Sequence, residues 1–378
     1  MRIWFMKQYH LIVFLLSLSI SLTAQKSKVL AVKQMIDAGK YEEAKEAIED
    51  AIGNSKTSGW HRTYYMKGLL CQTAYEAGIE KKETKKINLY PDQLYVAFDS
   101  YEKALELDAR ERVHELISNH FYSLANDFRS MGKELFDRGD YEESLRAFEH
   151  AILIGESELL STRTDTSLVY NAAMAAYEDG NWEKAVKYLT GLHEDAHSEK
   201  TSILLATALK NNGDSIRSIE ILREGAELYD FEESVVIYLV NELTFSGQLD
   251  AALEVLNDAI KVHPDDFIFH WARGLVYRRL NNYNMAISSF LAAAELAPDM
   301  PTLYYHIGLS YYNIGIDLRE SALNITEIEK YQQVRQQYRE KFAEAVKWLE
   351  RARELDPENE NIETSLHQLY YQLDLKKD

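Results

Sequence analysis

His193, Glu194 and His197 stand in the order His-Glu-x-x-His, spelled HEDAH over 193–197. On one regular helical turn that spacing would let two imidazoles hold zinc while the carboxylate activates water, the chemistry of a zinc-dependent peptidase. No His-x-x-Gly-x-x-His continuation supplies a third ligand, and Glu220 and Glu224 follow as ordinary charged positions of a later helix. The chain has no phosphate-cradling glycine loop, no metal-spaced cysteine set and no Gly-x-Ser-x-Gly turn. No catalytic centre, metal or cofactor is expected, and whether HEDAH is an exception depends on the elements that carry it.

Those elements repeat. Gly213, Gly247 and Asn281 follow one another at intervals of 34 residues, as do Gly274 and Gly308, and Pro264 and Pro298. Such a period marks stacked supersecondary units. Each unit reads as two amphipathic helices with apolar residues three and four apart. Between the helices stands Gly39, Gly139, Gly180, Gly213, Gly247, Asn281 or Gly315. A left-handed residue there would end the first helix, and glycine or asparagine tolerates that conformation best. An aromatic follows two residues later at Tyr41, Tyr141, Trp182 and Tyr283.

Small residues recur where helices must approach closely, among them Gly68, Gly132, Gly274 and Gly308 in first helices and Ala185, Ala252 and Ala286 in second ones. Larger apolar residues such as Phe148, Leu222, Phe290 and Leu349 fill the space beside them, and Pro264, Pro298 and Pro357 close units.

This pattern resembles the tetratricopeptide repeat family. The spacing predicts eight units, over 25–58, 61–109, 125–160, 166–198, 199–231, 232–266, 267–300 and 301–357, within an array spanning 25–358. Insertions are expected at 79–93, a basic solvated loop ending at Pro91, and at 316–341, a polar helix-prone stretch that would project from the array. Residues 359–378 read as a C-terminal capping helix and tail. In this register HEDAH falls at the end of the fourth unit's second helix and in the turn that follows, so its histidines would not share one helical turn.

The resemblance implies an all-α solenoid, a right-handed superhelix whose inner groove is lined by first helices and holds a peptide or partner protein. Counting along each unit places Arg129, Lys133 and Phe136 on that groove in the third unit and Tyr170, Met174 and Tyr177 in the fourth. Lys200 and Lys210 follow in the fifth, Asn241 and Phe245 in the sixth, Trp271, Arg278 and Arg279 in the seventh, and Tyr305 and Tyr312 in the eighth. Tyrosine, tryptophan and arginine are the residues that carry most interface energy, so an acidic or aromatic peptide would suit the set. Some members grip a terminal carboxylate; the corresponding positions here are Arg129, Lys133, Asn171, Lys200 and Leu204, where Lys133 replaces an asparagine and Leu204 a cation.

Charge and address narrow the setting. The 378 residues carry a formal net charge of −19, which disfavours nucleic acid and anionic lipid as partners. Residues 1–24 place Arg2 and Lys7 before an apolar run from Leu11 to Leu22, the layout of a cleavable secretory signal. Its loss would make the chain two units more acidic. The run falls short of the length that spans a bilayer, which makes an uncleaved membrane anchor the weaker reading, and no other segment is apolar enough. The one cysteine, Cys71, can form no internal disulfide and lies far from the expected cleavage point, so lipid attachment there is not available. The expected protein is a non-enzymatic scaffold, soluble in a periplasm or outside the cell and suited to an envelope complex. The alternatives are the HEDAH peptidase and a structural protein that assembles end to end.

Overall fold

The structure, a computed structural model, describes residues 25–160 and 165–373; the leader expected at 1–24 and the last five residues of the tail lie outside the described residues. These residues form 18 helices and no strand. The chain is all-α and divides into two compact units, up to Tyr188 and from Leu189 onward.

In the first unit, α1 (25–37) is followed by α2 (Tyr41–Gly53), α3 (His61–Lys81), the single turn α4 (Thr84–Ile87), α5 (Gln93–Leu107), α6 (His114–Arg138), α7 (Tyr141–Gly155) and α8 (Thr166–Glu178). The division falls inside α9 (Trp182–Glu194). The second unit continues with α10 (Glu199–Asn211), α11 (Ser215–Leu228), α12 (Glu233–Phe245), α13 (Leu249–Val262), α14 (Phe267–Arg279), α15 (Tyr283–Leu296), α16 (Pro301–Ala322), α17 (Ile328–Leu355) and α18 (Glu360–Leu373).

The turns between paired helices follow one chemistry. After α6, Gly139 takes φ +84° and donates to Phe136 O at 2.9 Å, while Asp140 donates to Leu135 O at 3.0 Å. The two bonds satisfy carbonyls that a helix end would otherwise leave open. Asn281 (φ +58°) closes α14 in the same way, through its own bond to Arg278 O and that of Asn282 to Tyr277 O.

Within a pair, a glycine on the first helix receives a large side chain from the second. A Cβ built on Gly132 would lie 2.8 Å from the Phe148 ring, and one on Gly274 would lie 2.5 Å from the Phe290 ring. Both rings are buried, so the missing side chain is what lets the helices close.

The two expected insertions differ from a loop and a polar projection. Between α3 and α5 the chain folds back: Lys45 Nζ donates to Leu89 O at 2.6 Å, Tyr90 OH donates to Glu49 Oε1 at 2.8 Å, and Leu89 and Tyr90 are buried. Lys86 pairs with Glu83 and sits near the Tyr41 ring, while Lys81, Lys82 and Lys85 stay exposed. At the other end, Gly315 is not a turn residue. It lies inside α16, buried, and a Cβ there would be 2.5 Å from the Phe342 ring. Segment 316–341 therefore lengthens α16 and α17 around a short connection over 323–327.

That extension holds the last helix. Arg319 Nη1 donates to Gln372 Oε1 at 2.6 Å and Arg339 Nη2 to Leu373 O at 3.0 Å, one of the carbonyls the end of α18 would leave open. Ile362, Leu366, Leu369 and Leu373 of α18 are buried in a cluster with Phe342, Val346 and Leu349. No helix among the described residues is long and apolar enough to cross a membrane.

Candidate binding surfaces on the first helices

HEDAH is settled by backbone geometry. The helix α9 ends at Glu194, and Ala196 turns to φ +50°, with Ala196 N bonded to His193 O and His197 N to Leu192 O. His193 and His197 thus lie on opposite sides of a helix-ending turn and cannot present two imidazoles from one helical face. His193 is 6% exposed; its Nδ1 is hydrogen-bonded to Ser202 Oγ at 2.9 Å and its Nε2 lies 3.5 Å from Glu224 Oε2. It ties α9 to α10 and α11. No group of three potential metal-binding side chains occurs among the described residues.

In the first unit, Arg129 on α6 is ion-paired with Asp165, which also caps α8 by accepting from Ser167 N at 2.9 Å. Burial would raise the Asp165 carboxyl, but the Arg129 guanidinium outweighs it and holds the group below its ordinary value. Arg129 is thereby engaged within the fold. Lys133 is exposed and, with Phe136, Tyr170, Asn171 and Met174, borders a cleft between α6 and α8. Tyr177 packs edge-on against Trp182, ring centroids 5.4 Å apart.

In the second unit the predicted set separates into committed and available groups. Lys210 Nζ is 2.7 Å from Glu242 Oε1 and lies over the Phe245 ring, so its charge is answered from α12. Tyr305 and Tyr312 are half-buried against the α16–α17 core, Tyr312 with its ring 5.7 Å from that of Phe342. Lys200 is exposed on α10. Phe245 stands 81% exposed at the end of α12, and Tyr238, one heptad before it on the same face, is 48% exposed.

Trp271, Arg278 and Arg279 border a cleft between α12 and α14, together with Ile237, Asn241 and Thr244. Arg278 Nη1 donates to His306 Nδ1 at 2.6 Å. Burial first, then the Arg278 charge, pushes His306 down to about 4, so the ring is neutral and accepts. Thr244 and His306 carried no signal in the repeat pattern, since neither is a type that the turn or the close approach requires.

A second polar cluster, also silent in the sequence, is buried between α3, α5 and α6. Gln72 donates to Ser123 Oγ at 2.6 Å and Glu76 Oε1 at 3.0 Å, and accepts from Tyr101 OH at 2.9 Å. Glu76 adjoins Asp127 of α6. Burial, then the neighbouring Glu76 carboxyl, push Asp127 up to about 7, and burial raises Glu76 as well. Each of two adjacent carboxyls in this setting disfavours the ionisation of the other.

Residues 239–301, from within α12 to the start of α16, match the family model of the tetratricopeptide repeat. No curated protein matches the chain. Among solved structures, a TPR repeats protein from Bacteroides fragilis is 16% identical with a TM-score of 0.37, the match covering 66% of this chain and 98% of that one. MamA from Desulfovibrio magneticus is 19% identical with a TM-score of 0.32, over 46% of this chain and 93% of that one. The TPR2AB domain of yeast Sti1, in a complex with pHSP90, is 17% identical with a TM-score of 0.26, over 67% of this chain and 99% of that one.

Proposed function

We propose that the protein is a non-enzymatic scaffold that binds an extended segment of a partner protein along its first helices. Residues 25–358 serve as the repeat array, and the work is done outside the cytoplasm, in a periplasm or at the cell exterior, as a soluble member of an envelope complex. The layout of residues 1–24 as a secretory signal supports that address.

The observation that carries the binding role is the exposure of Tyr238 and Phe245 on one face of α12. Large aromatics exposed at heptad spacing are the groups that supply contact area at interfaces. The cleft bordered by Trp271 lies beside them on the neighbouring first helix.

The test is chemical crosslinking of the mature protein in its native envelope fraction, wild type against Tyr238→Ser/Phe245→Ser. Both positions are exposed, so helix content should be unchanged. Loss of a specific crosslinked protein in the variant is expected; an unchanged crosslinking pattern would remove the first helices as the binding face.

A further inference from the structure

Arg273 lies on the side of α14 turned away from the clefts between first helices. Around the helix Leu275 and Arg278 stand within about 40° of Trp271, whereas Arg273 stands about 160° from it. Its head enters the seam between two consecutive second helices. Nη1 donates to Asn257 Oδ1 on α13 at 3.0 Å, Nε to Ser289 Oγ on α15 at 3.2 Å, and Nη2 to His270 Nδ1 at 3.5 Å. None of the three partners carries a negative charge, and among the described residues no carboxylate pairs with Arg273. Burial pulls its guanidinium below the ordinary value, and Tyr277, not a carboxyl, opposes that.

The repeat shows which group is missing. Arg273 precedes Gly274 as Lys67 precedes Gly68, and Asn257 stands five residues after buried Ala252 as Glu49 stands five after buried Ala44. At the earlier positions a cation meets an anion: Lys67 Nζ lies 3.0 Å from Glu49 Oε1, with the lysine side chain 19% exposed. At the later positions an amide replaces the anion. The adjoining repeats avoid the charge altogether, with Leu239 and Ile307 fully buried 34 residues to either side of Arg273. A guanidinium has five N–H donors. Three are used, and one is left on each terminal nitrogen, an arrangement that a carboxylate answers with both oxygens. Arg273 keeps part of its surface in water, which leaves it open to a ligand.

We propose that Arg273 binds a carboxylate side chain of a partner protein docked on the second helices α13 and α15, completing from outside the pair that Glu49 completes within the chain. One positive charge among uncharged groups suits a monoanion. A phosphate dianion would bring a second, unanswered charge to a protein of net charge −19. Met285 and Leu296 stand exposed on the same stripe of α15 as Ser289, so a protein surface finds apolar ground on both sides of the charge. This surface is separate from the faces of the first helices, and its failure would leave the proposed scaffold role untouched.

The probe is sodium butyrate, titrated into the full mature chain at constant ionic strength and read by NMR of the Arg273 side-chain Nε–H, with butyramide as the uncharged control. Arg273→Leu, which supplies the aliphatic that Leu239 and Ile307 supply, identifies the signal by its loss and should remain folded. A saturable shift is expected with butyrate, with a dissociation constant of about 10–100 mM, the strength of one ion pair without further contacts, and none with butyramide. Asn257→Glu rebuilds the Lys67–Glu49 arrangement inside the chain and should weaken butyrate at least about tenfold, with helix content unchanged. No saturable shift, an equal response to butyramide, or undiminished binding in Asn257→Glu overturns the site. Tighter binding of inorganic phosphate overturns the monoanion, and a butyrate dissociation constant below about 1 mM overturns the protein side chain in favour of a free acid.

Discussion

The ring of Phe342 lies across the backbone of Gly315, as the side chain of Leu349 lies across Gly308 one heptad earlier on α16. Cβ atoms at these glycines would be 2.5 Å from Phe342 and 2.7 Å from Leu349. Seven residues up α16 meet seven residues down α17, so the lengthened pair repeats its own close-approach device.

Gly315→Ala should therefore destabilise the protein although alanine is the better helix former. Crowding against Phe342 costs more than the roughly 1 kcal/mol of helix propensity returns, for a net loss of about 1–2 kcal/mol. Urea denaturation would read it. Adding Phe342→Leu should recover part of the loss; an equal cost in both backgrounds would mean that the two residues do not meet.

His193 and His197 should behave differently. His193→Ala strips partners from Ser202 and Glu224 and leaves a buried gap, for about 1–3 kcal/mol of stability. His197→Ala, beyond the turn at Ala196 on an exposed position, should cost within about 0.5 kcal/mol. Glu194→Gln should leave stability unchanged. Equal losses at both histidines, appearing only when zinc is supplied, would restore the metal site.

The Glu76–Asp127 pair gives stability a pH dependence of known sign. With Asp127 at about 7 in the fold against an ordinary 3.8, the folded chain holds more protons than the unfolded one between those values. The pair's contribution is thus complete below about pH 4, drains away as pH rises toward 7, and is flat above. Asp127→Asn removes the carboxylate repulsion and should flatten that slope and raise the melting temperature at pH 8. A wild-type slope that persists in Asp127→Asn would assign the effect to other groups.

Removal of Arg339 should loosen α18. The guanidinium donates to Leu373 O, and its loss costs about 1–2 kcal/mol of local stability. Hydrogen exchange should be about five- to thirtyfold faster in α18 of Arg339→Ala and unchanged in α12. Uniform acceleration along the second unit would mean that the cap governs the whole unit.

Much of this architecture is legible in the residues alone, because helix periods and helix ends are made by near neighbours. Gly139 and Asn281 end helices through their own bonds three residues back and those of Asp140 and Asn282 five residues back, so type and spacing suffice. Gly132 and Gly274 are readable as close approaches because each meets a ring 16 residues later, inside one repeat.

The same local logic misplaces Gly315. Its position in the period matches a turn, but the chain continues as helix because Phe342, on a lengthened α17, gives it a partner to pack against. Lys210 and Arg129 present cations to the period, yet Glu242 on the next first helix and Asp165 at the cap of the next first helix neutralise them. Tyr312 has the type of a binding residue and is half-buried against Phe342. Arg278 keeps its availability because the side chain brought to it, His306, is neutral.

By itself the sequence determined the helices, their pairing and the turns that join them, and it made HEDAH a helix end. Tertiary structure alone decided which charges are answered, which aromatics are packed and where two carboxyls are brought together. The reason is range: helix formation is set within a turn or two of chain, whereas the partner of a side chain on the next helix depends on rotation and spacing that every residue in the interface sets together.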